Sequence, residues 1–497
     1  MAKYVLGIDQ STQGTKVLLF DEQGKAVMRV DKSHEQLVDD KGWVEHNPVE
    51  IWDNLLVITK ELVKKAGING SDIGAVGISN QRETALAWNK ETGEPVYNAI
   101  VWQCARGAEI CQRLDRGNKE FAQTVKKHTG LALSPYFSAA KLAWIVENVS
   151  TAKTLMADGK LAVGTMDSWL VYKLTKGEMH KTDYSNASRT ELFNINTLQW
   201  DDEICAAFGI SQSALPEVCD SDALYGYTDF DGLLDHPVPI HSVFGDSHAA
   251  LYGQGCHAPG MIKSTYGTGS SVMMNIGDKP IESQKGLVTS LAWSIGGKPS
   301  YVLEGNINYT GASITWLKDN VELIESAGET AKLAENANKS DRTYFVPAFT
   351  GLGAPYWDSE ATGMFTGITR VTGKAELIKA VVESIAYQIG DITSLMEQES
   401  GKKITGLRVD GGPTKNTYLM QFQADILDRP VEVPDIEELS AMGAAYGAGI
   451  SAGIYENKEV FSSISRIKYV SKMGQEKRSD LVDGWLKAVK RALAHID

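Results

Sequence analysis

The chain has little that would build a fold or hold a ligand by covalent cross-links. Only five of its 497 residues are cysteines, and these (Cys104, Cys111, Cys205, Cys219, Cys256) are widely spread with no Cys-x-x-Cys pair. An odd, sparse set in a large chain excludes a disulfide framework and is expected of reduced thiols in a cytoplasmic protein, each a small buried hydrophobe. No apolar run approaches the roughly 18 residues that span a bilayer. The start, one Lys and a few apolar residues before Asp9, does not read as a secretory signal. Positive charge is also scarce, 49 Lys and Arg against 63 Asp and Glu, for a net charge of −14. The surface as a whole therefore repels nucleic acid and anionic lipid, and neither is expected as a partner. An anionic ligand must be held locally, by backbone N–H donors, one or two cations, or a metal.

What is there is ordinary soluble protein, 43% hydrophobic and 23% charged, long enough for two or more cores. "YVLGID", "KVLLFD" and "AVMRVDKSH" read as an antiparallel meander. "NPVEIWDNLLVITKELVKKAG" has helical periodicity after an Asn-Pro start, "IGAVGISNQ" is a strand, and "TALAWNKETGEPV" a hairpin. "VGTMDSWLVYKLTKG" is helical after its acidic start, and the mixture is α/β with antiparallel additions. The second half repeats the theme. "PIHSVFGDSHAALYGQG" is strand, polar turn and helix, and "GMIKSTYGTGSSVMMNIG" is two strands joined by Gly-Thr-Gly. The polar hairpin near residue 12 thus has a counterpart near residue 268, which suggests two related domains facing across a cleft. The boundary is placed near residue 250, with the helix of "SDLVDGWLKAVKRALAHID" crossing back to the first half.

Three turns carry chemistry. Thr12, Gln13, Gly14 and Thr15 can offer N–H and O–H donors to phosphate, and Lys16 adds a cation. Asp9 would repel phosphate directly, so its sensible role is to hold Mg²⁺ or its waters. A polar β-turn without a ligand would look the same. "TYGTGSS" (265–271) and "RVDGGPTKN" (408–416) are two further glycine-rich turns, neither a Walker A loop, and together the three suit a nucleotide clamped between domains. In "VFGDSHAA", Asp246 ends an apolar strand where a carboxylate can take a proton from a substrate hydroxyl, unless it is a helix N-cap. His248 is given no role. Arg82 and Glu83 in "SNQRETA", with Trp102 in "IVWQCAR", offer donor, acceptor and aromatic wall to a polyhydroxylated ligand, or else form an ion pair beside a core Trp.

At these residues a family is legible. "GWVEHNPVEIW", "ISNQRET", "YNAIVWQ", "DYSNASRTELFNI", "VPAFTGLGAPYWD", "LRVDGG" and "SAMGAAY" resemble the glycerol kinases of the FGGY carbohydrate kinase family, over nearly the whole chain. "YFSAAKLAWI" (136–145) and "GMFTGITRVTGKAELIKAVVE" (363–383) are similar to its two signature patterns. The resemblance implies two actin-like ATPase (ribonuclease H-like) domains facing across an interdomain cleft. Residues 1–250 would be the N-terminal FGGY domain, with the substrate side and first phosphate loop, and 251–497 the C-terminal, nucleotide-side domain. It implies ATP and Mg²⁺, a small polyol or sugar as substrate, and a homo-oligomer, dimer or tetramer. Asp246 matches the catalytic base and, with Asp9, the metal position. Arg82, Glu83 and Tyr136 match polyol-binding residues, Trp102 their aromatic wall, and Ser247 and Ser271 fall beside them. Thr12, Gln13, Gly14, Lys16, Thr268, Gly311, Thr315, Gly412 and Asn416 fall on nucleotide-contacting positions.

The departures from the family's glycerol kinases are specific. Their Thr-Thr-Ser-Ser-Arg is here Thr12-Gln13-Gly14-Thr15-Lys16, which keeps the charge and loses the planar fork. Gln is replaced by Ser247, a substrate-wall Phe by Ser271, an adenine-side Gln by Thr315, and Trp-Gln-Asp-Arg-Arg by Trp102-Gln103-Cys104-Ala105-Arg106. Loss of the Phe predicts a site looser for glycerol, by about 1–3 kcal/mol, and roomier for a four- or five-carbon polyol or ketose; glycerol stays slightly favoured. Asp229 stands where some members carry a regulatory His, with His236 out of register, so phosphorylation there by a sugar-transport phosphocarrier is not expected. The reading of another class is an actin-fold nucleotidase with no small acceptor, for which Arg82, Glu83, Trp102 and Tyr136 would be dispensable.

Overall fold

The opening apolar runs form the strands Tyr4–Gln10, Gly14–Phe20 and Ala26–Ser33, an antiparallel meander with Ile8 opposite Val17 and Asp9 opposite Lys16. This computed structural model describes residues 3–494. Ile73–Asn80 and Val238–Gly245 join the meander in parallel, and Gly226–Thr228 closes the other edge of a six-stranded sheet. The first two strands are buried on both faces because helices cover both. On one face Leu6, Ile8, Val17 and Leu19 meet Ile51, Leu55 and Ile58 of helix Pro48–Ala66. That helix starts where the sequence says it should: the Asn47 side chain accepts from Val49 N–H, Pro48 takes the first turn, and Gly67 ends it in the left-handed region. On the other face Val5, Leu18, Phe20 and Ala75 meet Ala441, Met442 and Ala445 of helix Leu439–Ser451.

The second sheet has seven strands, in the spatial order Val288–Ile295, Lys298–Ile307, Ser270–Gly277, Ile262–Tyr266, Leu407–Asp410, Val431–Pro434, Arg466–Tyr469. Its core includes the long helix Lys374–Ser400. A smaller five-stranded sheet, which includes Ala85–Asn89, Ala99–Ile100 and Leu161–Thr165, packs with helix Ser138–Asn148 around a third core.

The C-terminal helix, Gln475–Ala492, does not cross back to the first half as expected. Leu481, Trp485, Ala488 and Val489 bury in the core of the seven-stranded sheet, where Trp485 stacks on Tyr387 at 5.2 Å. The last three residues of that expected segment, 495–497, lie outside the described residues. Leu439–Ser451 crosses instead, and small residues are what let it do so. A Cβ on Gly443 would stand 1.9 Å from the Ala249 carbonyl oxygen, and one on Gly77 would stand 2.1 Å from that of Ala444. All five cysteines are free, four of them buried and Cys219 half-buried. Among the described residues no helix is long and apolar enough to cross a membrane.

Candidate active site

Three neighbouring parallel strands end together: Gln10 and Gly245 both sit level with Asn80. The carboxyl ends of parallel strands are where such sheets place ligands, and here they deliver Asp9, Arg82, Glu83 and Asp246 to one edge. Asp246 is the first residue of helix Asp246–Gly253, with Gly245 in the cap position, so it is not the N-cap. Its Oδ1 accepts from Ser247 N–H at 2.6 Å and lies 3.2 Å from Arg82 Nε, and its side chain is 34% exposed. Ser440, on the crossing helix, donates to its carbonyl at 3.0 Å.

Behind Asp246 lies a buried lattice of charges. Arg82 donates through Nη1 and Nη2 to the two carboxylate oxygens of Glu304, at 3.0 Å each. Arg189 donates through Nε to Glu83 at 2.5 Å, pairs through Nη1 with Glu304 at 3.0 Å, and lies over the Phe137 ring. All four side chains are buried. Burial pushes the Glu304 carboxyl up, but Arg82 and Arg189 more than reverse this and hold it well below the ordinary range. Burial likewise disfavours charged Arg82, yet Glu304, Glu83 and Asp246 raise it well above its usual value. Glu83 sits at φ 60°, a left-handed conformation uncommon outside glycine.

The aromatic wall completes this side. Trp102 meets Tyr136 edge-on at 5.6 Å between ring centres, and its indole N–H donates to Thr12 Oγ1 at 3.0 Å. The Tyr136 segment is held from beneath by buried Lys141, which donates to the carbonyls of Pro135, Tyr136 and Phe137; burial lowers this amine to about 8. The Ser271 hydroxyl donates to Glu304 Oε1 at 3.1 Å.

The first polar turn is closed by Ser11, which donates twice to the Gly14 carbonyl; a Cβ on Gly14 would stand 2.7 Å from the Lys32 carbonyl oxygen. Gln13 is exposed at its tip. Lys16 bridges Asp9 Oδ2 at 3.4 Å and Glu438 Oε2 at 2.7 Å. Burial raises the Asp9 carboxyl; Lys16 lowers it, and Asp246 raises it further, leaving a net upward shift. In the second turn Thr268 is exposed, and its carbonyl accepts from the N–H groups of Thr310 and Ala312 at the start of helix Gly311–Asp319.

Gly311, Thr315, Gly412 and Asn416 line one cavity of about 490 Å³ whose floor is Ile314, Val382, Ile385 and Leu419. Asn416 caps helix Thr417–Leu427 and donates to Thr330 Oγ1 at 3.0 Å. The paired glycines differ. Gly411 has φ 97° and a Cβ there would stand 2.0 Å from the Tyr266 carbonyl oxygen, whereas a Cβ on Gly412 would meet nothing within 4 Å. Among the described residues no three His, Cys, Asp or Glu side chains cluster as a metal cage. Asp229 is ion-paired to Lys176 at 2.7 Å.

Sequence reasoning missed Glu304, Arg189, Glu438 and Lys141. The signal for Glu304 was a lone acid inside the apolar strand run "YVLEGN"; Arg189 and Lys141 lie within the family-like segments "DYSNASRTELFNI" and "YFSAAKLAWI", and for Glu438 no local pattern stands out.

The FGGY family of carbohydrate kinases matches this chain twice, its N-terminal domain over residues 4–253 and its C-terminal domain over 262–452. Glycerol kinase 2 of Thermotoga maritima is 47% identical over 494 residues, and the glycerol kinase of Alkaliphilus oremlandii 48% over 495, each alignment covering at least 98% of both chains. The crystal structure of Plasmodium falciparum glycerol kinase with ADP superposes with a TM-score of 0.94 at 36% identity, covering 99% of each chain. A xylulose kinase from Lactobacillus acidophilus shares the fold with a TM-score of 0.87 at 24% identity, also over 99% of each chain.

Proposed function

The chain belongs to the FGGY family of carbohydrate kinases, and from that premise we propose that it transfers the γ-phosphoryl group of ATP to a primary hydroxyl of a small polyol, glycerol to glycerol 3-phosphate being favoured. The observation that carries this reading is Asp246. It is a part-exposed carboxylate at the head of a helix, with both of its described side-chain contacts on Oδ1. In our reading its other oxygen takes the hydroxyl proton as the substrate oxygen attacks the γ-phosphorus. Arg82, Glu83, Trp102 and Tyr136 orient the polyol, with Ser247 and Ser271 beside it.

Residues 1–250 serve as the substrate side and first phosphate loop, and 251–497 as the nucleotide side. The 490 Å³ cavity suits adenine and ribose, apolar along its floor with Gly412 leaving room for a flat ring. Thr12, Gln13, Gly14, Lys16 and Thr268 supply phosphate donors. Asp9 and Asp246 act on each other electrostatically, and although Lys16 outweighs Asp246, burial leaves the Asp9 carboxyl shifted upward. Two carboxylates of this kind fit Mg²⁺, which keeps several waters and takes phosphate oxygens as its remaining ligands. When bound, Mg²⁺ neutralises charge on the phosphates.

A second reading, a four- or five-carbon polyol or ketose as acceptor, is favoured by Ser247 and Ser271, two small side chains on the substrate side. ADP release with Mg-ATP, measured against glycerol, erythritol, xylitol, ribitol, arabinitol, xylulose, ribulose and dihydroxyacetone, decides between them. Asp246→Asn is expected to abolish acceptor-dependent turnover. ATP turnover that no acceptor stimulates would sink the kinase reading in favour of a nucleotidase.

A further inference from the structure

Arg82 stands beside the base, and a guanidinium next to a carboxylate normally takes both of its oxygens through two parallel N–H bonds. Here it does not. Both Nη nitrogens of Arg82 are on Glu304, and only Nε reaches Asp246, on the oxygen that Ser247 N–H already occupies. Glu304 is well placed to win this competition. It is buried, and Arg189 Nη1 and the Ser271 hydroxyl hold the same carboxylate. It also comes from the opposite half of the molecule, on strand Lys298–Ile307 of the seven-stranded sheet, paired to Met273 and Val288.

We propose that Glu304 is a positioning residue that holds Arg82 by its Nη edge and so keeps one carboxylate oxygen of Asp246 free for the substrate hydroxyl. The inference rests on the reading of Asp246 as base. Because Arg82 lies in the turn that follows strand Ile73–Asn80 of the first sheet and Glu304 lies in the seven-stranded sheet, the restraint exists only while the two halves are docked. When they part, Arg82 is released onto Asp246, and the base is occupied until the halves meet again.

The test uses the full chain with Glu304→Gln, which removes the charge and keeps the shape. In its crystal structure Arg82 is expected to turn and donate to both oxygens of Asp246. An Arg82 still at its wild-type position overturns the proposal, whether or not the wild-type protein phosphorylates a polyol. In steady-state assays kcat is expected to fall by about tenfold to a hundredfold while KM for ATP stays within about twofold, the split of a group acting on the chemical step rather than on nucleotide binding. An unchanged kcat, or a loss confined to KM, also overturns it. Glu304→Asp keeps the charge on a shorter arm and is expected to lie between the two. Should Glu304→Gln fail to fold, this variant carries the test, and wild-type kcat with Arg82 displaced counts against the proposal. Absence of acceptor-dependent activity in wild type would instead strike at the function proposed above.

Discussion

The two sides of the site are built on opposite principles. The proposed substrate side is a lattice of buried charge, Arg82, Glu83, Arg189 and Glu304, in which each member is held by a partner of opposite sign. The proposed nucleotide side is an open cavity with a largely apolar lining, shaped by glycines and a capping Asn. The first is rigid because removing any member strands a charge in a dry place. The second tolerates change because its walls touch little across the cavity. On the function proposed above, precision is thus concentrated where a small flexible acceptor is to be aligned, and space where a large planar group is to enter.

This contrast breaks most directly at Arg189. Arg189→Met leaves Glu83 and Glu304 short of a cation in the interior and is expected to cost about 3–5 kcal/mol of stability, read as the shift in the urea midpoint. A shift equivalent to under about 1 kcal/mol would mean that water reaches the lattice and that the two sides do not differ as described. On the other side, Gly412→Val adds a side chain at a cavity-lining position where a Cβ would meet nothing within 4 Å. KM for ATP is expected to rise by about thirtyfold, near 2 kcal/mol, with the unfolding midpoint and the acceptor KM unmoved. A large loss of stability would show the cavity to be as tightly interlocked as the lattice. The smallest effect is expected at Ser271→Ala, which removes one hydrogen bond from Glu304 while both arginines remain. About 1 kcal/mol of stability should be lost, and a calorimetric comparison of the two proteins resolves it.

Much of the frame was legible, for local reasons. The short apolar runs of the first strands, buried nearly throughout, and the Asn47-Pro48 helix start are written in adjacent residues. So is the placement of Asp246 where a strand turns into a helix. What was not legible depends on partners far along the chain. Arg82 and Glu83 are neighbours that read as one ion pair, yet they pair with Glu304 and Arg189, 222 and 106 residues away. Ser271 reads as lost packing when taken alone and turns out to donate to Glu304. The amphipathic stripe of Gln475–Ala492 announces a buried face without saying which sheet will bury it. In "LSAMGAAYGAGIS" small residues fill every side, so no stripe marks it as the helix that crosses.

That crossing helix has a consequence for how the gene could be divided. Its segment brings Glu438 to Lys16 and Ser440 to Asp246, and it roofs Val5, Leu18 and Phe20 of the first sheet. A cut near residue 250 would yield a first fragment with a bare apolar face and a second carrying the matching lid on a tether. Such fragments would be incomplete apart and complementary together, the geometry that a split pair requires.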